Sequence, residues 1–440
     1  MAHEMLAIMM IGGFFALIIT GVPVAISLAV SGLVFGFLGF GDGLFNLLPA
    51  RMYGVVTNYT LLALPLFIFM GVMLEKSRLA EDLLDTIGLA MGGLSGGMAL
   101  AIILVGVLMG ASSGIVGATV VTAGLIALGP LVRRGYDHGV ACGVICASGT
   151  LGQIIPPSLV LILLADIMGE SVGTLFAAAL FPGLMLSSLF VAYIITLGIF
   201  APSRVPPIPR AERDEISSLE LAKRLLLVVL PPLGLVFAVL GSIIGGVAAP
   251  TEAASMGAFG SILLAAAAGR LSFDTLRQVA RSTLSTSAMV FFILICAQPF
   301  GLSFRGLGGE HLVQEMFAMV PGGIEGQLLF LMLILFILGF FLEWIEISYI
   351  ALPLFLPIFV ASGVDMVWVA ILVAMNLQTS FLTPPFGWAL FFLRGVAPPE
   401  ISTADIYRGV LPFIAIQLVG LALVFSFPLI ATWLPKAIGW

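Results

Sequence analysis

Long apolar runs separated by short polar segments dominate the hydropathy pattern of this 440-residue chain. A helix needs about 20 apolar residues to cross the roughly 30 Å hydrocarbon core of a bilayer. The pattern predicts about ten helical crossings, near 6–20, 22–40, 61–75, 139–168, 172–200, 225–245, 250–269, 284–302, 367–393 and 410–432. The first run starts at Met5 without a basic flank and continues straight into the second run. We therefore interpret it as a membrane helix and not as a cleaved signal peptide.

Two further apolar stretches, near 98–130 and 327–360, are interrupted by polar residues, in GASSGIVGA (110–118) and GFFLEWIEIS (339–348). Cytoplasmic loops are enriched in Lys and Arg. With a periplasmic N-terminus and both stretches folded back as re-entrant hairpins, all Lys and Arg except Arg51, Arg305 and Lys436 fall on the cytoplasmic side. A full crossing by either stretch would flip every later loop and weaken this bias. The pattern therefore predicts two hairpins, with both termini periplasmic.

Composition excludes several classes of protein. Charged residues make up 9% of the chain and hydrophobic residues 61%, whereas soluble domains carry about 25% charged residues. The most hydrophilic segment, 201–224, predicts a cytoplasmic linker that is too short to be a domain. No GxxxxGK[ST] phosphate loop is present, which disfavours an ATP-driven pump. We find no nucleophile, base or metal cluster, so an enzyme is not expected and no cofactor is predicted beyond a coupling ion. Cys142, Cys146 and Cys296 lie in apolar runs and are expected to be free thiols.

The two halves of the chain share landmarks at a nearly constant offset of 227–230 residues. Pro23 pairs with Pro250, GLSGG (93–97) with GGIEG (322–326), Pro156-Pro157 with Pro384-Pro385, and Pro182 with Pro412. Residues 1–200 and 225–440 are therefore predicted to be two repeats, each with three helices, a hairpin, a proline-broken helix (near 139–168 or 367–393) and a last helix. Five crossings per repeat is odd, so the second repeat is inverted. Inverted repeats with paired broken helices are typical of secondary transporters.

The interruptions contain the candidate binding residues. Irregular backbone at membrane depth must line a cavity enclosed by protein, and prolines free upstream carbonyls. Such carbonyls, together with nearby hydroxyls, suit a hard cation such as Na⁺. The candidate cation-binding residues are Ser112, Ser113, Gly149, Gly152, Pro156, Thr379, Ser380, Thr383 and Pro384. The alternative is that the breaks are plain kinks in which Ser and Thr hydroxyls bond back to carbonyls of their own helix.

The N-termini of half-helices carry partial positive charge and suit an anionic group. The candidate substrate-binding residues are Ser113, Thr150, Glu343, Glu346 and Thr383. A carboxylate at membrane depth is costly, which favours a place on an ion or substrate path. The alternative for the two glutamates is a hairpin tip that reaches the membrane interface. Glu252 is expected to be a first-turn carboxylate, and Asp166 and Glu170 are interpreted as a solvated helix end. Stretches 77–92 and 305–320 predict amphipathic arms lying in the membrane plane.

The ordered motifs resemble a known family over essentially the whole chain. GASSGIVGATVVT, RRGYDH, GTLGQIIPPS, FPGL, APTEAAS and LTPPFGWALFFLRGVAPPE are similar to the large membrane subunit of tripartite ATP-independent periplasmic (TRAP) transporters. The resemblance implies an elevator mechanism with scaffold and transport domains, coupling to Na⁺, and two partners. These partners are a small four-helix membrane subunit, expected as a separate chain, and a periplasmic substrate-binding protein.

The sequence thus predicts an all-α polytopic protein of the bacterial inner membrane. Its expected function is Na⁺-coupled uptake of an organic acid anion delivered by a periplasmic binding protein. An ion or solute channel is the alternative, and it would need a continuous polar pore. None of the predicted helices carries a full polar stripe. The motif LTPPFGWALFFLRGVAPPE is closest to family members with keto- or hydroxy-acid substrates, but the sequence does not identify the substrate.

Overall fold

The computed structural model describes residues 2–113, 116–210, 212 and 217–440, without the side chains of 2 and 111–113. All regular structure in this described part is helical. The first half contains α1 Ala2–Ile19, α2 Val24–Phe40, α3 Gly43–Val56, α4 Ala63–Lys76, α5 Leu79–Met91, α6 Gly97–Ser113, α7 Val116–Arg133, α8 His138–Thr150, α9 Leu159–Met168 and α10 Val172–Phe200. The second half contains α11 Ser218–Ile244, α12 Pro250–Ala267, α13 Phe273–Gly306, α14 Gly309–Ala318, α15 Gly323–Leu338, α16 Trp344–Ile350, α17 Leu352–Ala361, α18 Met366–Leu382, α19 Trp388–Val396, α20 Thr403–Ser426 and α21 Leu429–Ala437.

The outer surface of the helices is apolar. Large side chains such as Ile199, Phe237 and Leu284 are 67%, 65% and 70% exposed, and an exterior of this kind fits lipid and not water. Within the described residues, five helices are long and apolar enough to cross a membrane. The number rises to eight if each of three bent helix pairs is one span. The prediction of a polytopic helical membrane protein is confirmed, whereas the number of ten crossings stays a prediction.

Helices recur in the same order in the two halves. The bent pair from Gly43 to Lys76 corresponds to the single helix α13, which is also 34 residues long. Helices α6 and α7 correspond to α15 and to the pair α16–α17, and the broken helix α8–α9 corresponds to α18–α19. Asp137 and Asp365 cap α8 and α18 by accepting backbone N–H groups. The order of the helices is thus the same in the two halves, and the inverted repeat stays a prediction.

The helices pack in two groups. The leading helices of both halves contact one another, with α13 on α2 and α4, and α12 on α4. The trailing helices likewise pack together, with α8 on α20, α7 on α19, and α18 on α10 and α20. Helices α8 and α20 approach closely at Gly143 and Gly409, where an added Cβ would overlap backbone atoms. The hairpins and the proline-broken helices belong to the trailing group, whereas the bent pair α3–α4 belongs to the leading group.

The two arms form the helices α5 and α14, each preceded by a residue in the left-handed region, Arg78 at φ 56° and Gly308 at φ 83°. Apolar side chains on one face of α5 pack against α6. The start of the predicted linker 201–224 is docked onto the protein. Backbone hydrogen bonds join Gly96 to Val205 (2.8 Å) and Ile208 to Gly92 (2.8 Å), and both Val205 and Ile208 are buried.

Several predicted boundaries differ from the helices. The apolar helix α3 was not among the predicted spans, because Asn46, Pro49 and Arg51 lower its mean hydropathy. The span near 410–432 ends at Ser426, where Pro428 starts the separate helix α21. The helix α13 is longer than the predicted span near 284–302. It starts earlier because the Ser272 side chain accepts the backbone N–H of Thr275 and caps the helix ahead of its apolar part.

Candidate functional site

The first break, between α8 and α9, is sealed inside the protein. A 3₁₀ turn at Leu151–Gln153 follows α8, and the chain then runs irregularly to Ser158, with every residue from 151 to 158 buried. The Pro156-Pro157 bond is cis. Ser158 Oγ donates a hydrogen bond to the backbone oxygen of Gln153 at 2.7 Å. A hydroxyl thus satisfies one backbone carbonyl at the break.

The first hairpin meets this break backbone to backbone. An added Cβ on Gly110 would overlap the Cα of Gly152, and one on Gly152 would overlap the Cα of Gly110. Only glycine at both positions allows this approach. The leg α6 therefore ends directly against the break, which places the predicted residue Gly152 at the joint. The predicted residue Gly149 packs similarly against Val120 of α7.

The second break, between α18 and α19, is more open. Thr383 and Pro384 are half-buried, whereas Pro385 and Phe386 are exposed. The Pro384-Pro385 bond is also cis. A Cβ on Gly387 would lie 2.7 Å from the backbone oxygen of Phe381, so glycine is needed for the chain to turn here. The second hairpin approaches this break through Gly339, where an added Cβ would overlap Oγ of Ser380.

Hydroxyl groups at the second break bond back to their own helix. Thr379 Oγ1 donates to the oxygen of Met375 (2.8 Å) and Ser380 Oγ donates to the oxygen of Leu377 (2.7 Å). Thr383 Oγ1 donates in the same way to the oxygen of Thr379 at 2.8 Å. This is the local bonding that the kink alternative expects. It uses the hydroxyl hydrogens and leaves oxygen lone pairs as acceptors, which is the part of the group that a cation takes.

Ser112 and Ser113 fall at the end of α6, and their side chains lie outside the described residues. The predicted residue Thr150 ends α8 and donates to the oxygen of Ala147 at 2.9 Å. Two glutamine side chains that the sequence analysis did not select, Gln378 and Gln417, also reach Thr150. The signal for them was present, because each is an amide inside an otherwise apolar helix.

Helix ends of both polarities meet at the interruptions. Helices α6, α8, α15 and α18 end there, and α7, α9, α16 and α19 begin there. The C-terminal ends carry partial negative charge and the N-terminal ends partial positive charge. No Lys or Arg occurs between Arg134 and Arg204 or between Arg305 and Arg394. An anion bound at these interruptions would therefore meet helix N-termini, amides and hydroxyls in place of a cationic side chain.

Glu343 and Glu346 lie at the interruption of the second hairpin. Glu346 is 8% exposed, and its Oε2 accepts the backbone N–H of Glu343 at 3.0 Å. This bond caps the first turn of α16 and gives Glu346 a structural role. Glu346 is thus buried inside the protein, whereas the alternative expects it at a hairpin tip that reaches the membrane interface. Neither glutamate forms an ion pair within the described chain.

The interpretation of Asp166 as a solvated helix end is wrong, because this residue is hydrogen-bonded within the protein. Its carboxylate accepts hydrogen bonds from the Asn58 side chain and from the Tyr349 hydroxyl, the latter at 2.8 Å. It therefore joins the leading group, the end of α9 and the second hairpin. Sequence spacing could not reveal this contact, because the three residues are separated by more than 100 positions in each case.

Comparison with known proteins identifies the family. Residues 11–430 match the family model described as tripartite ATP-independent periplasmic transporter, DctM component. The chain belongs to this family. Similar proteins of the TRAP family include the C4-dicarboxylate large permease protein of Pseudomonas aeruginosa, 32% identical over 89% of this chain and 90% of that protein. The ectoine large permease protein of Halomonas elongata is 29% identical, over 97% and 98%. The sialic acid large permease protein of Vibrio cholerae is 27% identical, over 96% and 97%.

Solved structures support the fold. The Alcanivorax borkumensis YdaH transporter aligns with a TM-score of 0.62 at 14% identity, covering 90% of each chain. At this identity the likeness establishes architecture alone. The TRAP family assignment makes this chain a transporter subunit and a multi-pass protein of a bacterial inner membrane.

Proposed function

We propose that this TRAP subunit carries an organic acid anion into the cell by Na⁺-coupled secondary transport. The observation that supports this most directly is the pairing of two hairpins with two broken helices inside one packed group, since such discontinuous helices form ion and substrate sites in transporters. Two of the three relatives named above are named for organic acids, which favours that class of substrate here.

The donor set of the breaks suits Na⁺. Neutral hydroxyl and carbonyl oxygens, with the C-terminal ends of α6, α8, α15 and α18, favour a hard monovalent cation. The residues proposed to hold it are Ser112, Ser113, Gly149, Gly152, Pro156, Thr379, Ser380, Thr383 and Pro384. When bound, Na⁺ supplies positive charge that offsets the negative charge of the substrate at membrane depth. The N-terminal ends of α7 and α16, with Ser113, Thr150 and Thr383, orient the anion in this proposal. Glu343 and Glu346 border the same site.

The two packing groups suggest the scaffold and transport domains of an elevator. The leading helices of both repeats would remain fixed, and the trailing group would move as a unit that keeps its irregular backbone satisfied. Asn58 belongs to the leading group and Asp166 to the trailing group, so the hydrogen bond between them must break if the groups slide. Alternating access then needs two positions of one domain, whose populations the ligands bias.

A crosslink between the groups tests the sliding. Cysteines at Asn58 and Asp166, in a background without Cys142, Cys146 and Cys296, should react with a short bifunctional thiol reagent and stop uptake. Cysteines at Asp365 and Lys436, an ion pair within the trailing group at 3.5 Å, should react with uptake largely retained. Full uptake with the first pair crosslinked would show that the groups do not slide past each other.

The proposal includes two partners, a small membrane subunit and a periplasmic binding protein that delivers the substrate. We choose transport over the channel alternative because the family and the relatives named above are transporter subunits. The decisive experiment reconstitutes this chain with the small subunit in liposomes. Uptake of the radiolabelled organic acid that stabilises the purified binding protein is measured with Na⁺ or K⁺ outside. Uptake should require Na⁺ and the binding protein, without ATP. Equal uptake in K⁺ would refute sodium coupling, and uptake without the binding protein would refute delivery.

A further inference from the structure

Three polar side chains meet in the core where the two repeats join. Thr150 comes from α8, Gln378 from α18 and Gln417 from α20, and all three are at most 1% exposed. The amide nitrogens of Gln378 and Gln417 lie 3.4 and 3.5 Å from Oγ1 of Thr150. Thr150 and Gln378 are 228 residues apart, so they occupy equivalent positions in the two repeats. We call these three residues the amide cluster.

The amide cluster has unused hydrogen-bonding capacity. Oε1 of Gln378 and Oε1 of Gln417 are buried without a hydrogen-bond partner among the described residues, and so are both amide atoms of Gln153, three residues after Thr150. A buried polar group left without a partner destabilises a fold by about 1–3 kcal/mol. Two glutamines that reach one hydroxyl and both leave their amide oxygens without a partner are unlike a plain structural network, in which each member is satisfied. They indicate that a ligand completes the cluster.

Geometry and charge favour a cation as that ligand. The oxygen and nitrogen of a glutamine amide exchange places by a half-turn, so either atom can face Thr150. Each amide oxygen would then lie about as far from the Thr150 hydroxyl as adjacent ligands of a hard cation lie from each other, since metal–oxygen distances of about 2.3–2.6 Å imply oxygen separations of roughly 3.3–3.7 Å. Thr150 is also the last residue of α8, whose C-terminal end carries partial negative charge.

We propose that Thr150, Gln378 and Gln417 bind a monovalent cation at the junction of the two repeats. Because these ligands are neutral, the site lacks the carboxylates that Ca²⁺ sites use, and a singly charged ion fits it better. Gln378 and Gln417 are not among the residues proposed above, whereas Thr150 also belongs to the proposed anion site, so this site adds one cation next to the anion. The identification of the ion as Na⁺ rests on the proposed sodium coupling. Binding would link α8 of the first repeat to α18 and α20 of the second.

The test counts bound ions in the purified complex. Equilibrium binding of ²²Na⁺ and the midpoint of thermal unfolding are measured in NaCl, KCl and choline chloride at equal ionic strength. Gln417→Leu and the volume-conserving Gln417→Met should each bind one Na⁺ fewer per chain, and stabilisation by Na⁺ should need a higher concentration. Gln298→Leu is the matched control. Gln298 lies outside the cluster, and its amide nitrogen donates to the backbone oxygen of Leu294 in its own helix at 3.2 Å. This control variant should bind as many Na⁺ ions per chain as the wild type.

The outcomes separate this site from the proposed function. If the variants keep the full Na⁺ count and lose stability equally in all three salts, the cluster is a water-filled or plain polar network and the inference is overturned. If Na⁺ drives uptake in the wild type while the variants keep the count, only the cluster assignment fails. If K⁺ and not Na⁺ stabilises the wild type, and the variants lose this stabilisation, the cluster binds K⁺ and its identification as a sodium site fails. Should Gln417→Leu not purify, Gln417→Met and Thr150→Val give the same readout.

Discussion

The two proline breaks occupy equivalent positions in the repeats, and they differ in exposure and in their neighbours. The first break is buried throughout and meets its hairpin at a pair of glycines, Gly110 and Gly152. The second break exposes Pro385 and Phe386 and meets its hairpin at Gly339 and Ser380. Gly152 and Ser380 are themselves 228 residues apart. One repeat therefore has bare backbone at the position where the other has a hydroxyl.

This difference indicates that the two breaks offer different oxygen atoms to a ligand. A break that is sealed and packed backbone on backbone contributes carbonyl oxygens in fixed positions. In the proposed cation site, the partly open break would add the half-buried hydroxyl of Thr383 and the buried hydroxyls of Thr379 and Ser380. Repeats make the two hairpin–break units alike in fold, while single substitutions such as glycine to serine make them unlike in chemistry.

The largest effect is expected at the hairpin joints. Gly152→Ala places a methyl group against the Cα of Gly110, which cannot move aside, and should destabilise the protein by up to about 3 kcal/mol. Gly339→Ala would make its methyl group overlap Oγ of Ser380 and bring it to 2.6 Å from Cβ of Ser380, which are side-chain and not backbone atoms, so it should destabilise less than Gly152→Ala, by about 1–2 kcal/mol. The midpoint of thermal unfolding of the detergent-solubilised complex measures both.

Two further variants control this prediction. Gly395→Ala meets no atom within 4 Å and should leave stability almost unchanged. Ser380→Gly should restore the stability of Gly339→Ala, because it removes the Oγ and Cβ atoms that the added methyl group overlaps. Equal destabilisation by Gly152→Ala and Gly339→Ala would mean that the two joints do not differ in the way described.

A smaller effect is expected for the hydroxyls. Thr383→Val keeps the shape of the side chain and removes one oxygen from the open break, so the Na⁺ concentration for half-maximal uptake should rise about tenfold, the equivalent of about 1.4 kcal/mol. Ser158→Ala removes the hydroxyl of the sealed break, which bonds to Gln153, and should leave the Na⁺ dependence unchanged. Uptake rates over a range of NaCl concentrations measure both.

Ser362→Ala provides the control for hydroxyl loss in general. Its hydroxyl bonds back to Ile358 at 2.8 Å, as those of the break do to their helix, but it is exposed at the end of α17. If Thr383→Val and Ser362→Ala give the same Na⁺ dependence as the wild type, back-bonding is the whole role of the Thr383 hydroxyl and the kink alternative is correct there.

Hydropathy and proline positions predicted the helical class and the approximate positions of the hairpins and broken helices. A membrane requires long apolar helices, and irregular backbone within them stands out in the sequence. Helix α3 was missed because Asn46, Pro49 and Arg51 interrupt its apolar pattern, and the docked linker was missed because its composition resembles that of a loose loop. A local sequence pattern does not show which distant segment of the chain packs against it.

The positions of the breaks were predicted, whereas their role as a binding site stays a prediction. Ser, Thr and Gly beside prolines identified the breaks, but Gln378, Gln417 and the contacts of Asp166 were not selected. Their importance depends on a partner more than 100 residues away, which spacing along one chain does not encode. The nearly constant repeat offset is the exception, since it places Thr150 and Gln378 at equivalent positions of the two repeats.

The smallest effect concerns the caps of the two broken helices. Asp137 caps α8 through the N–H of Val140 and pairs with Arg204 at 3.2 Å, and Asp365 caps α18 and pairs with Lys436. Burial alone would raise the pKa of Asp137, but hydrogen bonds from Arg204 and from backbone N–H groups outweigh it and lower the pKa below 3.8. A carboxyl whose pKa is lowered in the folded state stabilises the fold above its ordinary pKa, and this stabilisation is lost as the pH falls through the folded value.

Asp137→Asn keeps a capping oxygen and removes the charge, so it separates the two contributions. Its stability should be below that of the wild type at pH 7, and the difference should shrink as the pH approaches about 3.5. Asp137→Ala and Asp365→Ala also lose the cap, which amounts to about 0.5–2 kcal/mol at any pH. Thermal unfolding of the three variants between pH 7 and about 3.5 measures these differences. A deficit for Asp137→Asn that stays constant across this range would contradict the lowered pKa, because near pH 3.5 the carboxyl of the unfolded chain is already largely protonated and the stabilisation by the charge must have begun to decline.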